Sequence, residues 1–181
     1  MKNENRGDDG DIMEVQLGRI LREKQLTVST AESCTGGLIA HRLTLRAGAS
    51  DYYAGSVVAY DNRVKEALLH VNKDSIEAFG AVSREVVEQM AVHVAERLKT
   101  DCSIAVSGVM GPGGGSEYKP VGTVWISTYY MNRTLSHCYH LKGEREENIR
   151  QTAEAALLQL SVMIQEGEES ESLFNALEKK R

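Results

Sequence analysis

Leu26-Thr-Val-Ser-Thr-Ala-Glu-Ser-Cys-Thr-Gly-Gly37, running on as Leu38-Ile-Ala-His-Arg-Leu-Thr-Leu-Arg46, is the stretch on which the fold turns. Leu26 to Thr30 is rich in β-branched residues, which suit a pleated, half-buried surface and predict a strand. Gly36 to Arg46 suits a helix, and the chain passes from one to the other through small and hydroxyl-bearing residues. A strand that turns directly into a helix is the building unit of an α/β domain.

Outward from this unit the same alternation continues. Upstream, Met13, Leu17, Ile20 and Leu21 recur at helical spacing. Downstream, Tyr53 to Tyr60 is a compact apolar strand candidate and Asn62 to Leu69 returns to helical composition. Ser83 stands as an N-cap before Val87, Ala91, Val94 and Leu98, with Glu85 placed to favour the helix dipole. Cys102 to Ser107 is a short apolar strand that enters Gly108-Val-Met-Gly-Pro-Gly-Gly-Gly115, a loop by composition. Thr123 to Tyr130 and Thr134 to Leu141, separated by Met131-Asn132-Arg133, predict an antiparallel hairpin. Ile149, Ala153, Ala156, Leu157, Leu160 and Ile164 then mark a long amphipathic helix. The expectation is a three-layer α/β/α sandwich with a mixed sheet, mostly parallel with one antiparallel hairpin, over residues 11–166. Residues 1–10 and 167–181, polar or acidic, are expected to be flexible tails.

A chain of 181 residues fits one domain, and 41% apolar residues suffice for a packed core. The net charge of −5 sits at the ends, with −3 on residues 1–14 and −2 on residues 166–181. The body is therefore near neutral, which speaks against a nucleic-acid or anionic-membrane surface. No apolar run reaches membrane-spanning length and the N-terminus has no apolar signal core, so a cytoplasmic protein is expected. Cys34, Cys102 and Cys138 are odd in number and far apart, fitting neither a disulfide framework nor a CxxC site. His137 faces away from Cys138 and His140 on a strand, leaving too few ligands for zinc, and no metal is expected.

Three segments that follow strand candidates, and the start of the last helix, carry residues capable of chemistry. In Ala31 to Gly37, a nucleophile at Ser33 or Cys34 would have helix N–H groups beside it to stabilise an oxyanion. Taken alone, the segment suits Ser33 or Thr35 better as an ordinary helix cap, which is the commoner role. In Tyr60-Asp-Asn-Arg-Val-Lys65, Tyr60 and Lys65 lean toward one edge, and a lysine acts as a base only when burial or a cation lowers its pKa. A solvated surface lysine is the default there. The glycine loop lacks a P-loop ending and does not match GxGxxG, yet its N–H groups suit an anion as well as they suit a turn. Arg145 and Arg150 open the last helix, where an anionic ligand would offset the helix dipole and where glutamates 144, 146 and 147 are the ordinary partners.

Five motifs in order, AESCTGG at 31–37, YDNRVK at 60–65, GAVS at 80–83, SGVMGPGGG at 107–115 and KPVGTVW at 119–125, make the chain resemble the CinA C-terminal domain family. That family also includes stand-alone nicotinamide mononucleotide amidohydrolases. The resemblance runs from about Leu17 to Met163 and implies a three-layer α/β/α fold. It implies hydrolysis of the carboxamide of nicotinamide mononucleotide to nicotinate mononucleotide and ammonia, without metal or cofactor, in a homo-oligomer. By resemblance Ser33 is the nucleophile, Lys65 its base and Tyr60 an auxiliary catalytic residue. N–H groups near Cys34, Thr35 and Gly36 would hold the oxyanion. The loop glycines Gly108, Gly111, Gly113 and Gly114, with Arg145 or Arg150, would contact the nucleotide. Met110 and Gly113 depart from the alanine and aspartate usual in the family. The chain is expected to be a single-domain form, without the large N-terminal domain of longer CinA proteins. The alternative function is a non-catalytic domain that senses a nucleotide or docks on a competence or DNA-repair partner. The serine, tyrosine and lysine set favours the enzyme, because a sensor needs no nucleophile and base together.

Overall fold

The computed structural model describes residues 13–178, with side chains through Gly167. The elements in chain order are α1 (Met13–Glu23), β1 (Val28–Glu32), α2 (Leu38–Thr44), β2 (Tyr53–Val58), α3 (Asn62–Leu69) and α4 (Lys73–Phe79). They continue with α5 (Arg84–Leu98), β3 (Cys102–Gly108), β4 (Thr123–Tyr130), β5 (Arg133–His140) and α6 (Arg145–Glu178). A short 3-10 turn, Ala49–Asp51, leads into β2.

The five strands form one sheet in the order β2-β1-β3-β4-β5. β1 pairs in parallel with β2 and with β3, while β3–β4 and β4–β5 are antiparallel, so only β4 runs against the other four. Alternation along each strand sends side chains to two separate cores. Val28, Cys102, Ile104, Val106, Val124 and Ile126 meet α1, α2 and α6 on one face, together with Leu17, Leu157 and Leu160. Ala31 and Ala105 meet Val87, Met90, Ala91 and Val94 of α5 on the other, beside α3 and α4. These are the three layers that the strand and helix alternation predicts.

Local chemistry explains the boundaries. Ser83 caps α5 by accepting from the Val86 N–H, and Asp61 caps α3 by accepting from that of Arg63. The β4–β5 turn contains only Met131 and Asn132, both with positive φ (51° and 57°), because Tyr130 and Arg133 already pair. This is the twist-compatible two-residue hairpin, one residue tighter than the sequence suggests. α4 is absent from the sequence reading. It buries no residue and so leaves no apolar stripe, and its main local signal is the Asn72 cap.

The expected tail at 167 is corrected in part: α6 continues as helix to Glu178. Gly167 does not end it, because the absent side chain lets the helix lie against the Tyr130 ring, where a Cβ would come within 3.3 Å of Cε1. Residues 1–12 and 179–181, which include the expected N-terminal tail, lie outside the described residues. No helix among the described residues is long and apolar enough to cross a membrane.

Candidate active site

The chain leaves β1 toward α2 on one face of the sheet and leaves β2 toward α3 on the other, and β1 and β3 are neighbours. Divergence of this kind opens a crevice at the carboxyl ends of parallel strands. A cleft of about 220 Å³ lies there. Ser33 and Cys34 line it from the end of β1, Tyr60, Asn62 and Lys65 from the start of α3, and Ser107, Gly108 and Met110 from the end of β3. Ala81 and Val82 form a further wall, held to β3 by the Ser107 hydroxyl, which donates to the Ala81 carbonyl at 2.8 Å. Arg145 closes the set.

Lys65 is 1% exposed, against the default for a lysine. Its position on α3 explains this: Lys65 and Leu69, four apart, form the buried face of that helix. The amine Nζ donates to Ser33 Oγ at 3.1 Å, to the Ala59 carbonyl at 2.8 Å and to the Tyr60 carbonyl at 3.3 Å. Burial lowers its pKa from the ordinary lysine value, with Cys34 and the nearby Asp61 opposing. The register of the sheet sets the Ser33 contact. The Ser33 N–H donates to Val106 of β3, and the Ala59 N–H donates to the Glu32 carbonyl of β1. The carbonyl that holds Lys65 and the hydroxyl it faces are thus both pinned by β1.

Three partners on an ammonium make a simple chemical device. Two carbonyls can only accept, so they retain two N–H bonds when the group is neutral. The third direction, toward Ser33, then carries the lone pair. A neutral Lys65 can take the Ser33 proton without moving.

Cys34, adjacent to Ser33, is 6% exposed, and its thiol is pushed up to about 12, chiefly by burial. It stays a thiol at ordinary pH, and the hydroxyl beside the Lys65 amine is that of Ser33. Tyr60 is 62% exposed and its hydroxyl accepts from Arg145 Nη2 at 3.1 Å, while its backbone carbonyl is the atom on Lys65. Tyr60 therefore holds Lys65 through its main-chain carbonyl, while its phenol meets Arg145 at the rim of the cleft.

The late arginines separate. Arg145 donates to the Gly111 carbonyl at 2.8 Å and to Tyr60, at the rim of the cleft. Arg150 lies in a different surface depression with Leu38 and Ile149. Of the glycine loop, Gly108 lines the cleft, Gly111 offers its carbonyl to Arg145, and Gly113 and Gly114 are exposed outside it. Asn148 holds the loop from α6 by donating to the Met110 carbonyl at 3.2 Å.

Neither Ser33 nor Thr35 caps α2. The N-cap is Gly37, which offers no side-chain oxygen, and Thr35 donates its hydroxyl to Glu32. Gly36 donates its N–H to the Ser33 carbonyl at 3.2 Å and so drops out as an oxyanion donor. Among the described residues the Thr35 N–H has no protein acceptor and that of Cys34 has none besides its own thiol, but only Cys34 of the two lines the cleft. Sequence reasoning passed over Glu32, Asn62 and Ser107, although all three lie within the motifs. An acidic residue just ahead of a helix start was the available signal for Glu32.

Comparison with known proteins agrees with the fold. The family model described as the CinA C-terminal domain matches residues 11–164. A CinA-like protein of Cytophaga hutchinsonii is 45% identical over 151 residues, which is 83% of this chain and 36% of the relative. This chain spans about a third of the length of the curated relatives it matches. Among solved structures, the competence/damage inducible protein CihA of Agrobacterium tumefaciens superposes with a TM-score of 0.79 at 40% identity, covering 86% of this chain and 96% of that one. A CinA superfamily protein of Klebsiella pneumoniae gives a TM-score of 0.82 at 28% identity, covering 85% and 96%.

Proposed function

We propose, for a chain that belongs to the CinA C-terminal domain family, that the cleft hydrolyses the carboxamide of nicotinamide mononucleotide to give nicotinate mononucleotide and ammonia. The observation that carries this reading is the buried Lys65 amine 3.1 Å from the Ser33 hydroxyl. Amide hydrolysis needs a nucleophile, a base that later returns its proton to the leaving amine, and donors for the oxyanion. Neutral Lys65 takes the Ser33 proton as Oγ attacks the carboxamide carbon. The tetrahedral oxyanion is received by the N–H groups of Cys34 and Thr35. Collapse breaks the C–N bond, Lys65 gives its proton to the departing ammonia, and an ester on Ser33 remains. Water, deprotonated by Lys65, attacks that ester and releases the acid and Ser33.

The cleft, at about 220 Å³, is smaller than the roughly 300–1,000 Å³ usual for small-molecule sites. It suits the reacting ring, with the sugar and phosphate lying outward toward Arg145 at the rim. The test is incubation of the purified chain with nicotinamide mononucleotide while following ammonia. Release that disappears in Ser33→Ala and in Lys65→Ala, both still folded, supports the reading. Binding of the nucleotide without turnover would replace it with a ligand-sensing domain.

A further inference from the structure

Glu32 is the last residue of β1 and is 0% exposed. A carboxylate there is costly unless donors surround it. Its Oε2 accepts from the Thr35 hydroxyl at 2.6 Å and from the N–H groups of Gly37 and Ile39 at 3.1 and 3.0 Å. Its Oε1 accepts from the Ala40 N–H at 2.8 Å and from the Thr30 hydroxyl at 3.2 Å. One side chain from the strand thus gathers the N–H groups that open α2 and a hydroxyl from the turn itself.

Ser33 and Cys34 lie between the two ends of that clamp. Gly36 and Gly37 both sit at positive φ (61° and 103°) and bring no side chain, so beside the backbone bonds of Ser33 to Val106 and of Gly36 to Ser33 it is Glu32 that ties the turn to α2. The clamp also divides the available donors. The N–H groups of Gly37, Ile39 and Ala40 are taken by Glu32, whereas that of Thr35 has no acceptor and that of Cys34 none but its own thiol.

We infer that Glu32 is a positioning residue for the proposed hydrolysis: by binding the start of α2 it holds the Ser33 hydroxyl against Lys65 and reserves the Cys34 and Thr35 N–H groups for the oxyanion. Its kinetic part rests on the amidase reading; its structural part rests on the clamp alone. Glu32 does not touch substrate, so its loss acts on the transition state far more than on binding.

The experiment compares the full wild-type chain with Glu32→Ala and Glu32→Gln, measuring ammonia release from nicotinamide mononucleotide and backbone hydrogen exchange. Glu32→Ala is expected to lower kcat by about 100-fold, with KM changed less than about threefold, because a misplacement near 1 Å has that effect on an oriented reaction. Gln keeps one accepting oxygen but turns an NH2 group toward remaining donors, so a loss of about tenfold is expected. Exchange at Gly37, Ile39 and Ala40 accelerates in Glu32→Ala. A kcat within about threefold of wild type in Glu32→Ala overturns the kinetic part. A wild-type chain that releases no ammonia overturns the amidase reading and that part with it. Unaccelerated exchange at the three amides overturns the clamp whatever the wild type does. Should Glu32→Ala not fold, Glu32→Gln decides the same questions, at the size of effect given for it.

Discussion

In the proposed hydrolysis Lys65 acts in its neutral form, and its surroundings dictate when that form exists. Burial in the absence of a direct carboxylate partner lowers its pKa, so the sign is clear: below that pKa the amine is charged and cannot accept the Ser33 proton. Ammonia release per unit kcat/KM should therefore rise with pH and level off, with its midpoint below the value of about 10.4 for a free lysine. A pH–rate profile checks this, and a limb at the ordinary lysine position would contradict it. Cys34 gives the complementary prediction. With its thiol pushed up to about 12, Cys34→Ala should keep most of kcat, lose about 1 kcal/mol of stability to a small cavity, and remove no iodoacetamide-sensitive activity. Activity assays before and after alkylation, with thermal melts, distinguish the outcomes. The pairing of Ser33 with Lys65 was legible only through the motifs that contain them. The two residues are 32 apart, and a lysine one turn into a helix looks like a surface residue until the helix's buried face is known. The one local hint was Leu69, four residues on, marking that face.

At the scale of elements, the glycine loop separates cleanly by position. Gly108 ends β3, where a Cβ would lie 2.8 Å from Val124 Cγ2 and 2.9 Å from the Thr123 carbonyl. Gly113 has nothing within 4 Å and no positive φ. Gly108→Ala should thus cost about 1–3 kcal/mol by overpacking, and disturb the cleft it lines. Gly113→Ala should be neutral or stabilise by up to about 1 kcal/mol through the unfolded chain. Denaturant melts of the two variants make the comparison. Glycine counts alone could not separate these roles, because close approach, unusual dihedrals and mere tolerance all favour the same residue. The arginines of α6 pose a similar problem with a geometric answer. Residues five apart on a helix with 3.6 residues per turn point about 140° apart, so Arg145 and Arg150 cannot serve one site from one face. Arg145→Ala should raise KM for the nucleotide at least about tenfold, as loss of a charge-assisted contact does, while Arg150→Ala leaves KM within about twofold. Steady-state kinetics on both variants tests that assignment.

The whole molecule is one sheet with a core on each face, and this division was legible because strand alternation and helix stripes are read from neighbouring residues. The order β2-β1-β3-β4-β5 was not, since it depends on which distant strands pair and sequence spacing carries no such information. That order nevertheless makes the site: β1 lies between β2 and β3, so one strand end can fix Ser33 against Val106 and Ala59 against Glu32. Chemistry placed at a strand edge and stability placed in two buried layers should respond to different mutations. Met90 of α5 and Leu157 of α6 are fully buried on opposite faces, away from the residues that line the cleft. Truncating either to alanine should cost about 2–5 kcal/mol, the usual cost of a large-to-small change in a core. Because both layers pack on the same strands, each variant should lower a single unfolding transition, not split it. Calorimetry checks that: a second transition in Leu157→Ala would mean the α1, α2 and α6 layer melts apart from the sheet. Below the transition, kcat for ammonia release should stay close to wild type in both, because neither side chain lines the cleft and the ladder of β1 with its two neighbours is left intact.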